Sequence, residues 1–274
     1  AGKGIALRGA ALTFDGCTVV MTGIGATGNA ELGWMTIALG TGSSLNLSGA
    51  SLTLDGSGVA SNVHAVYCTG NNTINVAGSS LTIKNYPQDA IEWDGGSAEY
   101  SVNISGGSTV VLDRNRSGFT GNFYATFDHS TVKVVNSTGN GSNGTYYTVK
   151  NGSEVLFDGN GCWGISAWRI DMSKESVLTA TNNGYSGIWT RILNVDSSCT
   201  LDVEGNGTKA PSSAKNAGIF FQGNKDYTST IEKGANVTIV NNAGSGIYTK
   251  QAVCNLTIGS ATITNNGAGK VNKD

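Results

Sequence analysis

The sequence predicts an all-β fold, a right-handed parallel β-helix of about ten rungs with three short strands in each rung. Three observations lead to this prediction: Gly, Asn, Ser and Thr are abundant, a short alternating motif recurs along the chain, and Asn or Gly ends most of its copies. Gly alone accounts for 40 of 274 residues, about twice its average share of ~7%. Strong helix formers dominate no long window, so a helical fold is not expected.

The recurring motif reads apolar, polar, apolar, polar, then usually Asn or Gly. Its copies start at Leu12, Leu52, Leu81, Val110, Val132, Val155, Leu178, Leu201, Val237 and Ala261. Five of the steps between starts are 22–24 residues and the other four are 29–40 residues. Alternation with a period of two indicates strands. The spacing does not fit heptads, helical-pair repeats or propeller blades.

Each repeat contains three short segments, here called the first, second and third strands. In one repeat they are Leu178-Thr-Ala-Thr-Asn, Ser186-Gly-Ile-Trp-Thr-Arg and Ile192-Leu-Asn-Val-Asp. Stacked repeats of this kind form three parallel sheets around a shared core, and the usual crossover rule predicts the right-handed sense.

Asparagines follow several of the first strands and are expected to form the sharp bends between strands. They are Asn136, Asn182, Asn241 and Asn265. Asn tolerates the left-handed backbone that such a bend requires, and we also expect these side chains to stack and to hydrogen-bond from rung to rung.

Charge and cysteine content exclude several classes of function. The net charge is −2 without a basic run, so no nucleic-acid partner is expected, and no apolar run approaches the ~18 residues of a membrane span. The five cysteines are widely spaced; no metal site and no cofactor are predicted, and the thiols are expected to be small buried groups. Residues 1–274 are expected to form a single domain, excised from a larger surface protein.

The repeats resemble those of a known superfamily. Leu178-Thr-Ala-Thr-Asn-Asn-Gly-Tyr-Ser-Gly-Ile and Val237-Thr-Ile-Val-Asn-Asn-Ala-Gly-Ser-Gly-Ile are similar to repeats of right-handed parallel β-helix proteins, the pectate-lyase-like superfamily. The richness in Ser, Thr, Asn and Gly is similar to that of adhesin-like surface proteins of anaerobic gut bacteria and archaea. This resemblance implies the fold more than a function, since the fold hosts lyases, hydrolases, tailspikes and adhesins.

The sequence shows no convincing active site. Ile91-Glu92-Trp93-Asp94 is similar to a pectate lyase motif, but the His that follows Asp in that motif is missing. His64 and His129 are expected on different rungs without an obvious partner. We therefore predict no catalytic residue, and an enzyme is not expected.

The second strand carries the residues predicted to bind a ligand. Its Gly-Ile pairs set the phase, so that Ile165, Ile188, Ile219 and Ile247 point inward and the residues after them point outward. The predicted outward aromatic strip with its charged rim consists of Tyr124, Tyr146, Trp168, Trp189, Arg191, Phe220, Tyr248 and Lys250. A phase shifted by one residue would instead place these rings in the core. Insertions near 16–32 and 205–217 are a second candidate site.

These observations favour a non-catalytic binding domain of a bacterial cell-surface adhesin-like protein. The expected partner is a host glycan or a host surface or secreted protein, such as an immunoglobulin or a mucin. The domain is expected to act as a monomer at the bacterial cell surface or after secretion, without membrane insertion. Two alternatives stay open: a polysaccharide lyase or hydrolase with a degenerate active site, and a structural stalk.

Overall fold

The computed structural model describes residues 4–24, 34–94, 100–210, 216–223, 226–250 and 255–267. Over these ranges every regular element is a β-strand, which confirms the predicted all-β class. No helix long and apolar enough to cross a membrane occurs in these ranges.

The strands are two to nine residues long. In chain order they are β1 (Ile5–Leu7), β2 (Ala11–Asp15), β3 (Thr18–Thr22), β4 (Met35–Leu39), β5 (Ser44–Ser48), β6 (Ser51–Asp55), β7 (His64–Thr69), β8 (Thr73–Ala77), β9 (Ser80–Lys84), β10 (Ile91–Asp94), β11 (Ser101–Ser105), β12 (Thr109–Asp113), β13 (Phe119–Thr120), β14 (Tyr124–Asp128), β15 (Thr131–Val135), β16 (Ser142–Lys150), β17 (Glu154–Asp158), β18 (Ile165–Met172), β19 (Val177–Thr181), β20 (Ile188–Val195), β21 (Thr200–Glu204), β22 (Ile219–Phe221), β23 (Thr228–Ile231), β24 (Asn236–Val240), β25 (Ile247–Thr249), β26 (Asn255–Ile258) and β27 (Thr262–Thr264).

Each strand pairs in parallel with a strand of the next repeat, which is the pairing pattern of a β-solenoid. The first-strand face consists of β3, β6, β9, β12, β15, β17, β19, β21, β24 and β27. The second-strand face consists of β1, β4, β7, β10, β13, β22 and β25 with the N-terminal halves of β16, β18 and β20. The third-strand face consists of β2, β5, β8, β11, β14, β23 and β26 with the C-terminal halves of those three long strands. Three strands per rung are thus confirmed.

The inward side chains of the three faces form one continuous apolar core. In the inner turns residues such as Leu52, Leu112 and Phe157 have no contact with solvent. The outermost strands pack on one side only, so that Met21 is half-buried and Ile263 is exposed. The solenoid therefore has about eight complete turns rather than the ten rungs expected, flanked by one less buried turn at each end.

The first predicted repeat lies on the wrong face. Leu12 pairs with Leu45 on the third-strand face, and Val19 is the residue that pairs with Leu52 on the first-strand face. The error has a physical cause: inward apolar and outward polar residues alternate on both faces, so the motif Leu-Thr-Phe-Asp-Gly fits either one. From Leu52 to Val237 the predicted register is confirmed.

The predicted asparagine bends have the left-handed backbone. The φ angle lies between 53° and 57° at Asn136, Asn182, Asn241 and Asn265. Their side chains do not stack as expected. The Nδ2 atom of Asn182 instead donates a hydrogen bond to Asp158 of the preceding turn at 2.9 Å. These residues point outward, toward the carboxylates of the first-strand face.

A stack of asparagines is formed instead one position after the bend residue, where the side chain points into the core. This asparagine ladder consists of Asn160, Asn183, Asn206, Asn242 and Asn266. Each Nδ2 atom donates to the Oδ1 atom of the next member at 2.9–3.0 Å. The Nδ2 atom of Asn183 also donates to the carbonyl oxygen of Phe157 in the preceding turn at 3.0 Å. Buried amides are thereby paired, as stability requires.

The second and third strands are separate in the N-terminal turns and fused in three later turns. Leu81 pairs with Val110 and Val155 pairs with Leu178, so the turn that contains β18 has fewer residues than the turn that contains β10 and β11. In the turns of β16, β18 and β20 the chain runs directly through the bend that a loop makes in the other turns. In β18 and β20 the residues at that bend are Trp168 and Arg191. Neither residue takes part in the register pairing of these two strands.

Four cysteines are free thiols within the described ranges: Cys17, Cys68, Cys162 and Cys199. Cys68 and Cys199 are buried, and their burial raises the pKa of both thiols. The predicted role as small buried groups fits these two residues, whereas Cys17 and Cys162 are half-buried. Cys254 lies outside the described residues.

Candidate functional site

The phase of the second strand is the predicted one. Ile165, Ile188 and Ile219 are buried, and Ile247 in the last turn is half-buried. The glycine before each of them is required by close packing: a Cβ atom at Gly164 would lie 2.6 Å from a backbone oxygen of the next turn. The residues after the isoleucines therefore point away from the core.

The eight predicted binding residues do not form a single strip, so that part of the prediction is wrong. Trp189, Phe220 and Tyr248 share one register position on the second-strand face. Tyr124 and Tyr146 share a register position on the third-strand face.

The error arose because the Gly-Ile signal changes in the upstream turns. The isoleucine position is occupied by Phe119 and Ser142, and the outward position next to it by Thr120 and Asn143. The glycine before the inward residue persists at Gly118-Phe119 and Gly141-Ser142, and that signal would have given the correct column.

Four aromatic rings pack side by side on the second-strand face and in the turn before it. This Trp189 stack consists of Trp163, Trp189, Phe220 and Tyr248. Successive ring centroids are 6.2, 6.1 and 5.5 Å apart. Phe220 is only 6% exposed, so its expected exposure is wrong; the rings of its neighbours on adjacent strands pack against it. Trp163 was not predicted, although it directly precedes the Gly-Ile pair of its own turn.

A second group, the Trp168 cluster, lies at the bend between the second and third strands. It consists of Trp168, Arg191 and Tyr227. The Cζ atom of Arg191 lies 3.9 Å from the centroid of the Trp168 ring, a cation–π arrangement. Tyr227 meets the same indole edge-on at 5.9 Å. Trp168 is 37% exposed, and the predicted rim residue Lys250 is exposed as well.

Two tyrosines form a flat platform on the third-strand face. The rings of Tyr124 and Tyr146 are 5.0 Å apart and nearly parallel, with an interplanar angle of 6°. Tyr124 is 49% exposed. In the next turn Arg169 takes the same register position, and its Nε atom donates to Asp171 at 2.7 Å. The predicted aromatic surface therefore exists in two exposed parts, the tyrosine platform and the Trp168 cluster.

A polar cluster that the sequence did not predict lies on the N-terminal turns of the second-strand face. It consists of His64, Asp89, Glu92 and Arg116. The Nδ1 atom of His64 is 2.8 Å from the Oε2 atom of Glu92, so the expectation that His64 lacks a partner is wrong. Asp89 is fully buried. Arg116 donates to both of its oxygens, at 2.9 and 2.5 Å, and these hydrogen bonds raise the pKa of the guanidinium.

The sequence pattern does not predict the polar cluster because its members come from three successive turns. Val66 pairs with Ile91, and the same register sets His64 beside Asp89. Neither the motif copies nor the spacing rules for metal sites connect residues so far apart in sequence. Extending the register of Val66 and Ile91 back along both strands would have pointed from His64 to Asp89.

Tyr67 and Asp94 flank the polar cluster on the same face. The hydroxyl of Tyr67 donates to a carboxylate oxygen of Asp94. Burial, followed by this hydrogen bond, raises the pKa of Tyr67 above its usual range.

No protein-family model, curated protein or solved structure matches this chain. Two regions of the solenoid surface, the Trp168 cluster and the polar cluster, have side chains suited to binding a ligand. The Trp168 cluster offers an exposed aromatic ring and a cation, and the polar cluster offers an imidazole between two carboxylates. The insertion predicted at 16–32 contains β3, and residues 25–33 and 211–215 lie outside the described ranges.

Proposed function

We propose that this chain is a non-catalytic binding domain of a bacterial cell-surface adhesin-like protein, exposed at the cell surface or secreted and acting as a monomer. Its partner would be a host glycan or a host protein such as an immunoglobulin or a mucin. The observation that carries the proposal is the Trp168 cluster, an exposed indole with a guanidinium stacked against it. The assignment to adhesin-like and pectate-lyase-like proteins rests on the resemblance of the repeats.

The Trp168 cluster has the composition of a recognition surface. Trp, Tyr and Arg are the residue types that contribute most to binding at protein interfaces. The indole offers a flat apolar surface of the kind that packs against a sugar ring or an apolar side chain. Stacking on Trp168, worth ~0.5–1 kcal/mol at an exposed site, holds Arg191 in place before a ligand arrives.

Arg191 is available to a ligand. In the described part of the chain it forms no ion pair with a carboxylate, whereas Arg169 and Arg116 each do. Its N–H groups can therefore donate to a carboxylate, sulfate or hydroxyl group of the partner. The nearby tyrosine platform lengthens the surface along the solenoid.

The polar cluster does not favour the enzymatic alternative. Glycoside cleavage by paired carboxylates requires both groups to reach the sugar or the attacking water. Asp89 is buried and both of its oxygens accept hydrogen bonds from Arg116. This leaves Glu92 as the accessible carboxylate of the cluster, so the binding function is preferred.

A binding screen tests the proposal. The purified chain is tested against a glycan array and against immunoglobulins and mucins, and any hit is titrated with a Trp168→Ala/Arg191→Gln double variant. We expect a saturable hit that weakens at least tenfold in this variant. Trp34→Ala is the matched control, because Trp34 is similarly exposed at 42% but lies several turns away.

The other outcomes would contradict the proposal in different ways. Unchanged affinity in the Trp168→Ala/Arg191→Gln variant would show that binding does not depend on the Trp168 cluster, and an equal loss in Trp34→Ala would show that the loss is not specific to it. Release of sugar from pectin-like polymers would favour the lyase or hydrolase alternative. No hit and no sugar release would favour the structural stalk.

A further inference from the structure

We propose that the polar cluster is a binding site for a first-row divalent transition-metal ion such as Zn²⁺, with His64, Asp89 and Glu92 as its ligands. One ligand atom from each of these residues lies within 4.8 Å of the other two. The site lies on the N-terminal turns of the solenoid and is independent of the proposed ligand surface around Trp168.

The distances require only small side-chain movements to hold a metal ion. Ligand bonds of 2.0–2.2 Å in tetrahedral geometry place the ligand atoms ~3.4 Å apart. The Nδ1 atom of His64 and the Oε2 atom of Glu92, now 2.8 Å apart, would separate slightly. The Glu92 side chain is 24% exposed, so it has room to move and leaves space for a water molecule as fourth ligand.

The geometry at the Nδ1 atom of His64 also favours a metal ligand. This atom is buried and has no well-aligned hydrogen-bond partner among the described residues, although the Glu92 oxygen is close. A buried ring nitrogen left without a good hydrogen bond is destabilising. Coordination of a metal ion by the Nδ1 lone pair would remove this cost.

Arg116 is compatible with a metal ion because it leaves part of Asp89 free. Each carboxylate oxygen has two lone pairs, and Arg116 uses one on each oxygen. Metal-ligating carboxylates are commonly held by such outer hydrogen bonds, which fix their orientation. The two carboxylates also supply the negative charge that a divalent cation needs next to a guanidinium.

The ligand types select the class of metal. Imidazole nitrogen is a good ligand for Zn²⁺ and related ions, whereas Ca²⁺ takes six to eight oxygen ligands. One nitrogen and two carboxylates with an open position therefore favour a transition-metal ion over Ca²⁺.

Calorimetric titration of the purified chain with Zn²⁺, and separately with Ca²⁺, tests the proposal. We expect one Zn²⁺ per chain, and an affinity at least tenfold weaker in His64→Asn and in the nearly isosteric Glu92→Gln. His129→Asn and Glu154→Gln are matched controls, since both residues are exposed and lie outside the cluster. Circular dichroism of the metal-free variants verifies that each is folded.

Three results would overturn the proposal. The first is that the folded wild-type chain does not bind Zn²⁺. The second is that binding persists in both His64→Asn and Glu92→Gln, which would place the ion elsewhere, for example at the half-buried thiols of Cys17 or Cys162. The third is that Ca²⁺ binds to the cluster and Zn²⁺ does not. If His64→Asn fails to fold, Glu92→Gln alone decides.

Discussion

The N-terminal and C-terminal halves of the second-strand face share one backbone pattern but present different chemistry. The same outward register position is occupied by Tyr67 and Glu92 in the N-terminal turns and by Trp189, Phe220 and Tyr248 in the C-terminal turns. The inward position next to it holds Val or Ile in both halves, with Phe119 and Ser142 in the two turns between Ile91 and Ile165. In a solenoid the inward positions therefore maintain the fold, while the outward positions can vary with function from one turn to the next.

The two halves also differ in how their turns are supported. The asparagine ladder runs through the C-terminal half from Asn160 onward, whereas the equivalent position in the N-terminal half holds Tyr86 and Asn115. The fused strands that place Trp168 and Arg191 at a bend likewise occur in the later turns. The region proposed to bind a partner is thus the one with the more continuous internal hydrogen bonding.

The largest effect is expected from removing a central member of the asparagine ladder. Asn183→Ala would leave the carbonyl oxygen of Phe157 and the buried N–H groups of Asn160 without their partners. We expect the free energy of unfolding to fall by about 3–5 kcal/mol, since each such group costs roughly 1–3 kcal/mol. Urea denaturation measures the change.

Asn115→Ala in the N-terminal half is the matched comparison. Asn115 donates to Ile83 and accepts from the backbone N–H of Tyr86, without an asparagine neighbour. The expected loss is smaller, about 2 kcal/mol. Equal losses for the two variants would show that the hydrogen bonds between neighbouring asparagines of the ladder add nothing to stability.

A moderate effect is expected from Asp55→Asn on the first-strand face. Asp55 accepts hydrogen bonds from the Nδ2 atom of Asn85 and from the backbone and hydroxyl of Ser57, and these hold its pKa well below the usual range. Because the folded-state pKa lies below the unfolded value of ~3.9, the carboxylate stabilises the fold above that pH. The contribution is lost as the pH falls toward the folded-state pKa.

Acid titration of stability measures this contribution. The wild type should lose about 2 kcal/mol more than Asp55→Asn between pH 5 and strongly acidic solution. Parallel curves for the two proteins would contradict the assignment to Asp55. In the C-terminal half Asn182 and Thr181 donate to the carboxylate of Asp158. The same titration of Asp158→Asn shows whether that carboxylate also stabilises the fold.

The smallest effect on stability is expected from Trp168→Ala. The indole is 37% exposed and packs against Arg191 and Tyr227, which lie outside the core, so the free energy of unfolding should change by less than about 1 kcal/mol. Thermal unfolding provides the measurement. A loss of several kcal/mol would mean that Trp168 supports the fold at the bend, and would weaken its proposed role in recognition.

The fold was predictable from the sequence because a solenoid repeats its physical requirements. Left-handed asparagines such as Asn182 and buried isoleucines such as Ile188 recur at the same place in many turns, so the copies support one another. The misplaced Leu12 shows the limit of this approach: two faces with the same alternation look alike when only one copy is considered.

The candidate sites were less predictable because they depend on outward residues, which follow no repeat. His64 and Asp89 become neighbours only through the local register of β7 and β10, and the spacing of these two strands along the chain differs from that of β18 and β20. Trp168 was identified correctly as outward, but its stacking with Arg191 depends on the fusion of two strands in β18 and β20. Alternation alone does not reveal that fusion.

The asparagine ladder gives the solenoid a direction. From Asn160 to Asn242 each side-chain amide donates one hydrogen to the Oδ1 atom of the next member on the C-terminal side, so the bonds between the asparagines all run the same way. Hydrogen bonds arranged in such a chain polarise and strengthen one another. Each added turn would then strengthen the hydrogen bonds of the turns already present. The stability per turn of such a solenoid would therefore rise with the number of turns.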